Sequence, residues 1–318
     1  MTKKLALVLG LVMAGLSSGA NAETLRVAVA QRGFWDSTMV DIAEKQGFFK
    51  EAGLEIEVLY TEGGASTLTP LLAGSIDVAM SNGILGVIGA YSKGAPVRII
   101  SAEGTGAGDA FWYAPTSSGI KSLKDTNSKT VAFSSPGSST NLILLQLVKQ
   151  AGATPKLVPT GGAPATYTQV MTGQIDVGWS VPPFALKDLL EGKIAIIARG
   201  NDVEAIKAQT VRVNVANANA LKQKREAFVN YVKALGRAVD WAYSSPDALS
   251  NYAAIARVPV DQAKMTRDDF YPKEALQLAE IKGIDVTLQQ ALDFKYVTKP
   301  MTKEDVAPLF DMLATEKR

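Results

Sequence analysis

Gly63-Gly64-Ala65, followed by Leu71-Leu72-Ala73-Gly74-Ser75-Ile76-Asp77-Val78-Ala79-Met80-Ser81, has a counterpart later in the chain. There Gly161-Gly162-Ala163 is followed by Val170-Met171-Thr172-Gly173-Gln174-Ile175-Asp176-Val177-Gly178-Trp179-Ser180. In each copy a Gly-Gly turn leads into a short helix, and a glycine ends the helix where a left-handed residue is needed. An apolar Ile-Asp-Val strand then runs to a serine. Two copies at long spacing indicate a duplicated α/β unit rather than a solenoid. Ligands of open α/β sheets bind beyond the carboxyl ends of the strands. The repeat therefore predicts two lobes with a cleft between them, and Ser81 and Ser180 at its edges.

Outward from this repeat, residues 1–22 read as an export signal. Lys3-Lys4 precede the apolar run Leu5 to Leu16, and Ala20-Asn21-Ala22 is a small-x-small cleavage site. The run is too short to span a bilayer. No cysteine is present to carry a lipoprotein's lipid. A freely diffusing periplasmic protein, cleaved after Ala22, is expected. Without Lys3 and Lys4 the formal charge falls from +2 to zero, which argues against a nucleic-acid partner. With 318 residues, 47% of them hydrophobic, the chain can fill two cores.

Histidine and cysteine are both absent. The usual zinc sites, Cys–His and Ser–His nucleophilic pairs, disulfides and histidine- or cysteine-ligated haem are thereby excluded. No metal or other cofactor is expected. The matched Asp77 and Asp176 suggest a catalytic pair, but each lies four residues before its serine, about 13 Å along a strand from the ligand end. They read as structural caps.

Leu25 to Val29 alternates as a first strand and delivers Gln31, Gly33, Phe34 and Trp35 to a loop, where the aromatics either wall a ligand or pack under the loop. Leu54 to Tyr60 is a second strand. The order Gly47-Phe48-Phe49-Lys50, Gly53-Leu54-Glu55-Ile56-Glu57-Val58, Gly63-Gly64 and Leu71-Leu72-Ala73-Gly74-Ser75-Ile76-Asp77-Val78 resembles the nitrate/sulfonate/taurine-type substrate-binding proteins of ABC transporters. The resemblance runs from the signal to about Lys299 and is firmest over 25–101 and 130–200. It implies a type II-like periplasmic-binding-protein fold, with each lobe a mixed sheet flanked by helices. It also implies a monomeric receptor that closes on a small-molecule solute and delivers it to transmembrane permease subunits.

The expected lobes are 23–114 with 212–318, and 115–211. Glu103 to Asp109 is only superficially like a phosphate loop and is read as a flexible loop near the cleft. Helices are expected over 222–243, 247–256, 260–266, 272–282 and 300–316.

Four loops carry the expected solute contacts: Gln31 to Trp35; Ser81, Asn82 and Gly83; Pro136, Gly137, Ser138, Ser139 and Thr140; and Trp179, Ser180 and Pro182. The serine-rich turn is the strongest signal, because hydroxyls and free amides at a helix N-terminus attract anions. Capping by Ser138 or Ser139 is its structural alternative. A small organic anion, sulfonate- or carboxylate-like, is the expected solute. The alternative is a neutral or cationic pyrimidine-like nitrogen heterocycle. An enzyme on this fold is disfavoured, since the pyrimidine-synthesis relatives rely on histidine and a cysteine cluster. The export signal opposes a transcription-regulator domain.

Overall fold

A computed structural model describes residues 22–315. The expected export signal, apart from Ala22, and residues 316–318 lie outside them. Alternating apolar segments form ten strands among the described residues: β1 (Glu23–Val29), β2 (Leu54–Tyr60), β3 (Val78–Gly83), β4 (Val97–Thr105), β5 (Phe111–Pro115), β6 (Thr130–Phe133), β7 (Lys156–Pro159), β8 (Gly178–Ser180), β9 (Ile194–Arg199) and β10 (Thr210–Asn217). Five of them make one sheet in the order β2-β1-β3-β10-β4. The others pair as β8-β5-β9 and β6-β7. A parallel bridge from Val131 to Val177 links β6 to the residue before β8.

The second group thus follows β7-β6-β8-β5-β9, the order of the first sheet with β5 in the place of β10. Within each, the first three strands run parallel and the next is antiparallel. Strand β5 pairs with β8 and β9 in the second group, and the expected first-lobe boundary at residue 114 falls inside it.

The repeated aspartates do the same work twice. Asp77 accepts from the Arg26 amide at 2.9 Å and the guanidinium at 3.2 Å; Asp176 accepts from the Thr130 amide at 2.8 Å and hydroxyl at 2.7 Å. Each satisfies a backbone amide of the neighbouring strand, Arg26 within β1 and Thr130 at the start of β6.

Helices cover the sheets: α1 (Met39–Lys45), α2 (Gly64–Leu72), α3 (Ile84–Ser92), α4 (Ser139–Ala151), α5 (Ala163–Met171), α6 (Arg225–Ser244) and α7 (Ile284–Asp293) position the cleft and the first-lobe core. Gly74 and Gly173, past the ends of α2 and α5, have φ of 71° and 74°. Helix α6 buries Phe228, Val232, Leu235 and Val239, and full burial of such side chains stabilises by about 1.5–3 kcal/mol each.

Some expected helices differ. The 222–243 helix is interrupted at Lys224, and 300–316 holds only Lys303–Val306 plus 3₁₀ turns. Pro308 has no amide to continue the helical ladder there. Residues 272–282 make one 3₁₀ turn and then an irregular segment, where the Ala102 amide donates to Leu278. The sequence reading did not identify α7. No described helix is long and apolar enough to cross a membrane.

Candidate functional site

The two Gly-Gly turns approach one another's lobes. A β-carbon built on Gly63 would stand 3.5 Å from Ser134 Cβ, and one on Gly162 would stand 2.8 Å from Gln31 Oε1. A β-carbon on Gly161 would lie 3.6 Å from Glu62. The tightest approach joins the ends of β3 and β6. At Gly83 a β-carbon would overlap the Gly137 carbonyl oxygen and stand 2.6 Å from the Ser139 nitrogen. One on Gly86 would lie 2.7 Å from that same carbonyl oxygen. The lobes are therefore closed, backbone against backbone, and these glycines permit it.

The serine-rich turn is knit together internally. Ser138 is the N-cap of α4, its Oγ accepting from the Asn141 amide at 3.2 Å and lying 2.9 Å from the Thr140 hydroxyl. Thr140 also accepts from the Ser134 amide at 3.0 Å. The Ser139 and Thr140 amides are those of the first turn that the helix and its cap do not satisfy. Ser139 is buried beside Gly83, and Pro136 is exposed. The Ser135 hydroxyl, absent from the expected contacts, is enclosed without a hydrogen-bond partner among the described residues.

Two further enclosed polar atoms without such partners, Gln31 Oε1 and Trp179 Nε1, lie on residues at the ends of β1 and β8. Trp179 pairs across the sheet with Trp112, and Ser180 donates to the Phe184 carbonyl at 2.9 Å. Pro182 is buried just beyond. Phe34 meets Phe184 of the other lobe edge-on, with ring centroids 5.5 Å apart, and Gly33 faces the same ring.

Of the two readings for the loop aromatics, Trp35 takes the core-packing one. It is fully buried, donates to the Tyr243 hydroxyl at 2.9 Å and packs 4.7 Å from the Tyr252 ring. Its indole belongs to the first-lobe core, because these tyrosines supply both an apolar face and an acceptor.

Ser81 adopts a left-handed φ of 55°. Glu103 accepts from both its amide and hydroxyl at 2.5 Å, while Asn82 donates to Thr67 at 2.8 Å. Burial, reinforced by Asp36, pushes the Glu103 carboxyl up to about 7. Arg212 engages Asp109 through two 2.7 Å bonds and lies 3.7 Å from Asp36. The segment expected to be a flexible loop is thus anchored: Asp109 is buried, the Gly106 amide donates to Gln209, and the Ala107 amide donates to Asn201. Arg32, the cation nearest the expected pocket in sequence, stacks 3.7 Å above the Tyr60 ring.

Glu103 and Tyr296 lie outside the expected contacts, and Ser135 belongs to the expected serine-rich turn without being among its expected contact residues. Tyr296 accepts from the Gly137 amide at 2.8 Å and donates to the Asn141 side chain. Only the serine cluster around Ser135 gave a sequence signal. Glu103 and Tyr296 reach their partners through long-range packing.

Residues 36–249 match the family described as NMT1/THI5 like. Comparison with curated proteins finds no match. Among solved structures, the alkanesulfonate-binding protein SsuA from Xanthomonas axonopodis pv. citri, bound to MOPS, is 16% identical, with a TM-score of 0.75 over 91% of this chain and 98% of that one. The periplasmic aliphatic sulphonate binding protein SsuA from Escherichia coli is 18% identical, with a TM-score of 0.70 over 93% and 95%. The periplasmic nitrate-binding protein NrtA from Synechocystis PCC 6803 is 15% identical, with a TM-score of 0.69 over 91% and 85%. At these identities the structures establish a shared periplasmic-binding-protein fold. With the family match covering most of its length, the chain belongs to the NMT1/THI5-like family.

Proposed function

We propose that the protein is the periplasmic solute receptor of an ABC importer, acting as a monomer that closes on a small organic anion and delivers it to the permease. The observation that carries the reading is the α4 N-terminus, which meets Gly83 of the opposite lobe with the Ser139 and Thr140 amides unsatisfied by the helix. The Ser135 hydroxyl and Trp179 Nε1 add enclosed donors. Neutral donors in a dry cleft stabilise an anion without a paired side-chain cation. Arg212 is already held by Asp109, which agrees with that mode of binding.

The hinge in this reading is the pair of crossings at 106–110 and 206–210, tied by the Gly106–Gln209 bond of 2.9 Å and the Thr105–Thr210 contact of 3.1 Å. A sulfonate- or carboxylate-bearing solute has an organic body for the Phe34–Phe184 pair to cover. A neutral or cationic nitrogen heterocycle is the second reading, favoured by Glu62 beside Gly161 and by the same aromatic pair.

A thermal-shift screen of the mature protein separates the two. Sulfonates, carboxylates, nitrate and nitrogen heterocycles are tested one by one, and hits are titrated by calorimetry. Stabilisation by organic anions is expected. Stabilisation by heterocycles alone would favour the second reading, and silence from every class would defeat the receptor reading.

A further inference from the structure

Helix α7 ends in a turn that aims Tyr296 at the opposite lobe. The Lys295 amide donates to Leu292 at 3.0 Å and the Tyr296 amide to Ala291 at 2.8 Å, the two bonds of a Schellman cap. Lys295 takes the left-handed position, with φ of 61°, where glycine is usual. The turn packs on α3 of the first lobe, where a β-carbon on Gly89 would lie 3.1 Å from the Tyr296 carbonyl oxygen. From that anchorage, the half-buried Tyr296 hydroxyl accepts from the Gly137 amide at 2.8 Å and donates to Asn141. Both partners belong to the second-lobe turn that faces Gly83.

We infer that Tyr296 is a positioning residue that clasps the closed lobes, holding the α4 turn against the first lobe through Gly137 and Asn141. It consumes the Gly137 amide. The remaining amides of the turn are left for the solute. Opening the lobes must break both hydrogen bonds, because Tyr296 moves with α3 and α7 while its partners move with α4. The inference rests on the two-lobed receptor reading, yet it concerns closure and does not depend on which solute is bound.

The chain has no cysteine, so a pair of spin labels can be placed cleanly at Lys50→Cys and Lys156→Cys, exposed positions in the first and second lobes. Pulsed-resonance distances are measured on the mature protein without solute and with any screening hit. Tyr296→Phe keeps the ring and removes the hydroxyl. It should lower the closed-to-open ratio by about tenfold, equivalent to 1.4 kcal/mol at equilibrium. Asn141→Ala should move the distribution in the same direction and carries the test if Tyr296→Phe does not fold. A parent without a short-distance population overturns the clasp. So do variant distributions matching the parent's, even if their melting points fall. A clasp effect in a parent that no solute closes further would leave the clasp standing and count against the receptor reading.

Discussion

Glu103 on β4 reaches across β10 to Ser81 on β3 and accepts both its amide and its hydroxyl, each at 2.5 Å. This contact holds a non-glycine residue in the left-handed region, at the point where β3 hands the chain to the cleft. It also places a buried carboxylate close enough to Asp36 for the two to repel.

That repulsion and burial should make stability depend on pH. The Glu103 carboxyl titrates near 7 in the fold, against an ordinary value of 4.5. The folded protein therefore retains a proton that the unfolded chain releases. The contribution is full below about pH 4.5 and is lost as pH rises through about 7, amounting to about 3 kcal/mol. Asp36, also raised by burial, acts in the same direction. Urea unfolding at stepped pH should show stability falling across this window, with Glu103→Gln flattening the slope. An equal slope in the variant would assign the effect to other groups.

Gly83→Ala should separate folding from closure. Gly83 has an ordinary φ of −62°, so alanine fits its backbone, yet the β-carbon would overlap the Gly137 carbonyl. The melting point should hold to within a few degrees. The closed conformation should be lost, with at least about a hundredfold weaker binding of a screened solute, roughly 2.8 kcal/mol. Solution scattering and calorimetry on the same sample would test this; unchanged binding would mean that the solute does not require this contact.

Ser138 and Ser135 should respond in opposite ways to alanine. Ser138 caps α4, so Ser138→Ala should destabilise by about 1 kcal/mol. The enclosed Ser135 hydroxyl has no partner, so its removal should leave the solute-free protein as stable or more so. Affinity for an anion should instead fall by about ten- to a hundredfold in Ser135→Ala. Denaturant melts paired with titrations would reveal the exchange, and equal affinity in Ser135→Ala would remove that hydroxyl from the site.

Arg212→Met should be the most damaging of these changes. It strands the buried Asp109 and Asp36, and breaking such a buried pair costs about 3–5 kcal/mol. Adding Asp109→Leu should recover part of the loss, because one uncompensated charge is then gone. Urea midpoints of the single and double variants would decide; a double variant weaker than the single would show that Asp109 has another essential contact.

Much of the fold was legible because its signals are local. The Gly-Gly turns, the glycine helix ends at Gly74 and Gly173, and the alternating strands are each set by nearby residues, and their repetition gave the two-lobed plan. The equivalence of Asp77 and Asp176 was readable for the same reason. Helix α7 was not, since its short stripe lies in a polar segment and its stability comes from packing on α3.

Side-chain direction was decided only in three dimensions. Phe34 and Trp35 are adjacent in sequence, yet one meets Phe184 across the cleft and the other hydrogen-bonds Tyr243 in the core. Likewise, the Ser138 cap is a local contact to the amide three residues on, whereas the enclosure of the Ser135 hydroxyl without a partner was set by the surrounding fold. Backbone preference acts over a few residues and is written in local sequence. The choice between core and cleft depends on which distant segment supplies a donor, an acceptor or an apolar face, as Glu103 does for Ser81 and Tyr296 for Gly137.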